Sequence, residues 1–230
     1  MKKLYVFGIM LLGLIFQNQI QAQDSNACMQ DLSIFAEYVK VKNYASAKEP
    51  WTRVRQSCPD LNAAIYTYGE RILKDYIKNG TPEEVEASKK DLIQLYDEWV
   101  QYFPANKNES TVGDVLSKKA QALLDYKIAD LKVVYTTFDE AYTKDAKSFT
   151  NPKHLYNYFK TLYDRYKAGD TEVSMEMLFN KYEEVSEKFE IETTELAKKL
   201  DVILKKEDEG KGKYVIWAGV TSKEKQDIYL

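Results

Sequence analysis

Apolar residues recur at intervals of three or four along most of the chain, which is the spacing that places them on one face of an α-helix. No stretch alternates apolar and polar residues in steps of two, as a half-buried strand would. The pattern therefore predicts an all-α protein. The segments that carry the helical spacing are residues 27–43, 44–58, 61–79, 82–103, 115–142 with one interruption, 153–170 and 173–206.

Two of these segments carry further information about their helices. Thr81 precedes a proline and is followed three positions later by Glu84, which predicts a capped helix start. The last segment, residues 173–206, contains neither glycine nor proline and would span about 50 Å as a helix. Glu192 and Lys199 interrupt a strict heptad, so a long amphipathic helix packed on its own chain is favoured over a coiled coil.

The composition supports the helical interpretation and narrows the range of partners. Only 9 glycines and 5 prolines occur in 230 residues, whereas Lys, Glu, Ala, Leu and Tyr are abundant. Positive and negative residues are finely mixed, so the chain lacks the basic stripe that phosphate binding needs. Nucleic acid is therefore not expected as a partner, and the length suits one or two ordinary domains.

Residues 1–23 have the pattern of a secretory signal peptide. Lys2 and Lys3 precede an apolar run that is too short for a comfortable membrane span, and a polar stretch ends at Gln23. An uncleaved membrane anchor is the alternative, whereas Cys28 lies too far beyond the apolar run for a lipid anchor. Such a leader would direct the protein to the periplasm or the exterior. Its cleavage would change the formal net charge from −3 to −5, because two lysines and no acid leave with the leader.

A repeat pattern is visible around the second predicted helix. In a tetratricopeptide unit, a small residue is followed by an aromatic residue four positions later, a small apolar residue three after that, and a proline. Ala47, Trp51, Val54 and Pro59 fit these positions, and Tyr38 falls on the tyrosine of the preceding helix. The small residue lets two helices approach closely, while the aromatic ring fills the gap beside it.

The next unit matches less closely. Ile65, Tyr68 and Gly69 occupy three positions of its first helix, and the glycine is expected to permit close contact with the helix behind it. Tyr96 and Trp99 match its second helix, provided that about eleven extra residues are accommodated between the two helices. The pattern thus indicates a degenerate repeat.

The chain from about Cys28 to Pro104 resembles tetratricopeptide-type repeats. With its leader, "LSIFAEYVKVKNYASAKEPWTRVRQSCP" and "IYTYGERI", it is similar to a group of secreted tetratricopeptide-like proteins of Gram-negative bacteria. The resemblance implies a degenerate α-solenoid of antiparallel helix hairpins and a periplasmic scaffold or partner-binding role. Phe35 and Asp31 depart from the repeat pattern at its glycine and tryptophan positions. An unrelated helical bundle is the alternative.

The two cysteines are expected to pair. In the repeat register, Cys28 stands at the start of the first helix and Cys58 at the end of the second, so the two ends lie side by side in an antiparallel pair. An oxidising compartment would then favour a disulfide worth about 3 kcal/mol. Two independent buried thiols are the alternative.

The sequence carries no familiar catalytic motif. His154 is the sole histidine, and it is interpreted as a helix-surface or packing residue. The chain has no glycine-rich phosphate loop, no G-x-S-x-G and no H-E-x-x-H, so no enzyme activity, cofactor or metal is expected. A helical enzyme that uses two carboxylates is a third, less favoured class, because nothing singles out the acids that would serve.

The expected function is non-catalytic protein–protein interaction or scaffolding in the cell envelope. The repeat register places Tyr66, Glu70 and Lys74 on the face that lines a groove, with Lys40 extending it, and these residues are predicted to contact a protein or peptide partner. A helical binder of carbohydrate or cell-envelope polymer is the alternative function. The sequence does not indicate the oligomeric state.

The predicted organisation has four parts. They are a signal peptide (1–23), tetratricopeptide-like repeats (24–104), further helical repeats ending in a long helix (105–208), and a loop with a helix start (209–230). In the last part, Thr221 and Glu224 form a capping-box pattern six residues before the end. We expect the chain to be an N-terminal piece of a longer protein.

Overall fold

The computed structural model describes residues 26–107 and 109–208. The predicted signal peptide and the predicted C-terminal helix start lie outside the described residues. Within them the fold is all-α, as predicted, apart from one two-stranded antiparallel hairpin. The elements are α1 (26–40), α2 (Tyr44–Ser57), α3 (Ala64–Asn79), α4 (Pro82–Tyr102), β1 (Ala105–Asn106), β2 (Glu109–Ser110), α5 (Val112–Asp125), α6 (Leu131–Asp145), α7 (Pro152–Lys167) and α8 (Met175–Asp208).

The chain divides into two compact units, the first ending at Phe149 and the second beginning at Thr150. In the first unit, α2 packs on α3, α3 on α4, α4 on α5 and α5 on α6. The boundary drawn at residue 104 from the sequence therefore lies inside the first unit, because α4 and α5 pack together across it.

Local sequence explains where the helices of the first unit begin. Asn43 caps α2 by accepting a hydrogen bond from the Ser46 N–H. At the start of α4, Thr81 Oγ1 accepts from the Glu84 N–H, and Glu84 Oε2 accepts from the Thr81 N–H at 2.8 Å. This is the predicted capping box, and Pro82 occupies the first helical position.

The core between α2 and α3 is centred on Trp51. Ala47, Trp51 and Val54 are fully buried, and the indole Nε1–H donates to the Ile65 carbonyl oxygen at 2.7 Å. A Cβ added to Gly69 would lie 2.7 Å from two atoms of the Trp51 ring, so any larger residue would force the ring to shift. The sequence predicted such a close contact between Gly69 and a neighbouring helix.

The first helix differs from the repeat pattern at Phe35 and Tyr38. The Phe35 ring is fully buried and meets the Tyr68 ring edge to face, with 6.3 Å between centroids. Tyr38, predicted as a packing residue, is 38% exposed. The repeat pattern has glycine at the position of Phe35. The Phe35 ring therefore makes a contact with α3 that glycine could not make.

Two links join the start of α1 to the end of α2, so these helices run antiparallel. Cys28 and Cys58 lie at bonding distance, with 6.3 Å between their Cα atoms. Arg53 donates to both carboxylate oxygens of Asp31, at 2.7 and 2.9 Å, and this hydrogen-bonded pair lowers the pKa of Asp31. The geometry is compatible with the predicted disulfide.

The described part of the second unit contains α7 and α8, which pack on each other. Asn151 caps α7, and His154 in its first turn is buried. Leu178 and Val185 of α8 are also buried, whereas Phe179 is 63% exposed. The predicted long helix is thus present. Every helix in the described part of the chain is too short or too polar to traverse a bilayer.

Candidate binding site

Tyr66, predicted to contact a partner, is instead a core residue. Its side chain is fully buried, and its ring lies 6.2 Å from that of Trp99 and 6.3 Å from that of Tyr102, both on α4. The hydroxyl donates to the Pro59 carbonyl oxygen at 2.9 Å. Burial raises the pKa of this phenol. The prediction was wrong because α4 covers the face of α3 that the repeat register treats as open.

Glu70 is also largely enclosed, with 15% of its side chain exposed. Its Oε1 accepts from the Tyr96 hydroxyl at 3.0 Å and pairs with Lys74 Nζ at 2.5 Å. Burial raises the pKa of this carboxyl, but Lys74, Lys118 and the Tyr96 hydrogen bond outweigh burial and lower it overall. Glu70 therefore ties α3 to α4 and is poorly placed for direct partner contact.

The two predicted lysines are exposed but do not form one groove with Tyr66 and Glu70. Lys74 keeps its ion pair with Glu70, and Lys40 pairs with Glu37 of its own helix at 2.6 Å. Partner contact by Lys40 and Lys74 stays a prediction. Such exposed pairs hold a side chain only weakly.

An open groove lies elsewhere in the first unit, between α2 and α4. Its volume is about 630 Å³, and we call it the Arg55 groove. Its lining is Thr52, Arg55, Gln56 and Pro59 on one side, and Asp91, Gln94, Asp97, Glu98, Gln101 and Tyr102 on the other. Residues at such three- and four-residue intervals share a helix face, so each helix contributes one continuous wall.

The Arg55 guanidinium connects the two walls. Its Nε–H donates to Glu98 Oε2 and its Nη1–H to Asp91 Oδ1, both at 2.6 Å, while its carbon lies 5.1 Å from the Trp51 ring centre. Burial lowers the pKa of this group, but the two acidic partners outweigh burial and raise it overall. Arg55 is therefore a fixed positive charge, with 9% of its side chain exposed.

One nitrogen of this guanidinium has no partner. Among the described residues, none accepts a hydrogen bond from Arg55 Nη2, although the atom is buried. A buried donor without an acceptor costs about 1–3 kcal/mol. In the described structure, a residue that lines the groove therefore contains a buried hydrogen-bond donor without an acceptor.

No match to this chain emerged from comparison with protein-family models, with curated proteins or with solved structures. The function is therefore argued from the chain's own residues. The described part of the chain holds no group of three or more histidine, cysteine or acidic side chains that could bind a metal ion. The groove presents amides, carboxylates, one guanidinium and a phenol, which are groups that bind ligands through hydrogen bonds and charge.

The groove residues were not identified from the sequence. Asp91, Gln94, Glu98 and Gln101 recur at three- and four-residue intervals on the polar side of α4, and this signal is present in the sequence. The polar side of almost any surface helix looks similar, however. Only the position of Arg55 on a different helix distinguishes this side as one wall of a groove.

Proposed function

We propose that the protein is a non-catalytic binding protein of the cell envelope that recognises a protein or peptide partner, with a degenerate tetratricopeptide-like arrangement of its helix hairpins. The observation that carries the proposal is the Arg55 groove, an open polar concavity whose two walls are joined by a buried guanidinium. Packed helices hold this surface in place before a partner arrives, which lowers the entropy lost on binding.

The proposed compartment rests on two features. Residues 1–23 have the pattern of a secretory leader, and Cys28 and Cys58 lie at bonding distance. Disulfides persist in oxidising compartments, of which the periplasm is one. Both features together support a periplasmic or secreted location.

A binder of carbohydrate or envelope polymer is the second candidate function. Gln56 and Gln101 present exposed carboxamides to the groove, and Tyr102 adds an aromatic ring. Such groups also hydrogen-bond and stack with sugars. A neutral sugar would, however, leave the acidic side chains of the groove without a role, so we place this candidate second.

A pull-down with chemical crosslinking from envelope extract separates the two candidates. The bait is the mature protein, and the matched variants are Gln94→Arg in the groove and Thr136→Arg at an exposed position of α6, which packs on α5 and lines no part of the groove. We expect a specific protein that is retained by the Thr136 variant and lost with the Gln94 variant. Retention on glycan or peptidoglycan without any protein partner would refute the proposal in favour of the second candidate.

A further inference from the structure

The groove carries more acidic than basic groups. Asp91 and Glu98 share the single charge of Arg55, and Asp97 pairs with Lys119 Nζ at 2.6 Å. The lining of the groove therefore holds three carboxylates and one cation, and Lys119 of α5 offsets one of these carboxylates from outside the lining. The remaining negative charge favours a ligand with a positive group.

Oxygens of the groove are free to accept further hydrogen bonds. Arg55 and Gln94 occupy both oxygens of Glu98, whereas Asp91 and Asp97 each use only Oδ1. Among the described residues, no donor contacts Oδ2 of either aspartate. An ammonium or guanidinium offers only donors and no acceptors, so it complements these two oxygens.

Arg55 Nη2 makes no hydrogen bond and needs an acceptor. A ligand that fills the groove should therefore offer an acceptor as well as a positive group. Glu98, Asp91 and the Trp51 ring already contact the guanidinium, and the groove that Arg55 lines is where a new acceptor can arrive. The nitrogen is enclosed, so contact requires a small displacement of the guanidinium. An anionic acceptor would be repelled by Asp91 and Glu98. A neutral carbonyl oxygen, such as that of a peptide bond, avoids this repulsion.

The length and the amide groups of the groove suit an extended chain. From Asp91 to Tyr102 the wall formed by α4 is about 16 Å long at the rise of an α-helix. About five residues of extended peptide have this length. Gln56 and Gln101 are exposed on opposite walls, and each can donate to a peptide carbonyl and accept from a peptide N–H.

We propose that the Arg55 groove binds an extended peptide segment carrying lysines or arginines, with one basic side chain on Asp91, another on Asp97 and a backbone carbonyl on Arg55. This inference rests on the proposed function and names the chemistry of the partner. A neutral oligosaccharide could form hydrogen bonds with the glutamines but would not neutralise the excess negative charge. Binding of such an oligosaccharide is one outcome of the test below.

The test measures fluorescence anisotropy with defined probes and the whole mature protein. The probes are a fluorescein-labelled glycine–serine peptide containing lysines, the same peptide with glutamates in their place, and a labelled oligomer of N-acetylglucosamine. Gln101→Lys and Gln101→Glu change the charge at an exposed groove position, while Thr136→Lys and Thr136→Glu make matched changes at an exposed position of α6, outside the groove. Circular dichroism checks that each variant is folded.

We expect the lysine peptide to bind more tightly than the glutamate peptide and to weaken as salt is raised. Gln101→Lys should weaken its binding roughly threefold to tenfold, as expected for one charge about 6 Å away near a protein surface, and Gln101→Glu should strengthen it similarly. The Thr136 variants should change affinity by less than about twofold, because α6 packs on α5 and forms neither wall of the groove.

Three results would overturn the inference: equal affinity for both peptides, equal effects at Gln101 and Thr136, or binding of the oligosaccharide alone. The pull-down separates this failure from failure of the proposed function. A protein partner lost with Gln94→Arg, in the absence of any preference for lysine peptides, overturns the inference and leaves the proposed function standing. Absence of any protein partner overturns both.

Discussion

The contact between Gly69 and Trp51 gives the sharpest prediction about the fold. In Gly69→Ala, the new Cβ would lie 2.7 Å from Cζ2 and Nε1 of the indole and 2.8 Å from Cε2. The ring cannot retreat easily, because its Nε1–H donates to the Ile65 carbonyl oxygen and Arg55 lies over its face. Overpacking of this kind costs about 2–3 kcal/mol.

Helix propensity acts in the opposite direction. Alanine is favoured over glycine by about 1 kcal/mol inside a helix, and residue 69 is within α3. The free energy of unfolding should therefore fall by about 1–2 kcal/mol in Gly69→Ala. The measurement is urea unfolding followed by far-ultraviolet circular dichroism at neutral pH with the disulfide intact.

A double-mutant cycle with Trp51→Phe isolates the cause. Phenylalanine lacks the indole atoms that the new methyl group would overlap, so in this background Gly69→Ala should become neutral or stabilise by up to about 1 kcal/mol. The reasoning would be refuted if Gly69→Ala stabilised the parent protein, or if its effect had the same sign and size in both backgrounds.

Three further predictions concern stability. Reduction, or replacement of Cys28 and Cys58 by serine, should lower the free energy of unfolding by about 3 kcal/mol, measured by urea unfolding. Folding lowers the pKa of Glu70, so the ionised carboxylate stabilises the fold above the ordinary carboxyl pKa. This stabilisation is lost as pH falls through the pKa of Glu70 in the folded protein. Glu70→Gln should therefore lose less stability on acidification than the parent protein. Gly113→Ala should lower the melting temperature more than Gly69→Ala, because its Cβ would overlap a backbone carbonyl oxygen at the end of α6.

Each of these predictions has a contradicting result. Free thiols at Cys28 and Cys58 in digests of the protein isolated without reductant would contradict the first. A Glu70→Gln variant with the same acid sensitivity as the parent would contradict the second. Unchanged melting of Gly113→Ala would contradict the third, because the carbonyl oxygen belongs to the backbone and cannot move aside as a side chain can.

Features set by neighbouring residues were predictable from the sequence. The start of α4 depends on Thr81, Pro82 and Glu84 alone, and the structure shows the expected capping box. The all-α class follows from the spacing of apolar residues, which reflects burial of one helix face. The hairpin at Ala105–Asn106 and Glu109–Ser110 was not predicted, because two-residue strands are too short to show alternation.

Features set by the packing of distant helices were not predictable. Tyr66 has the same local spacing whether it faces a groove or a neighbouring helix, and the position of α4 decides that it is buried. Arg55 and Glu98 are 43 positions apart, and nothing in the local pattern of either residue indicates that they meet. The candidate site therefore required the structure, whereas the fold class did not.

Site-specific photo-crosslinking tests the central claim most directly, namely that the Arg55 groove is the surface that recognises a partner. A photoreactive phenylalanine derivative would replace Gln94 in the groove or, as the control, Thr136, which is exposed on α6 outside the groove. Irradiation in intact cells should yield a protein adduct of defined mass from position 94 and none from position 136. The same adduct from both positions, or adducts from position 136 alone, would contradict the account.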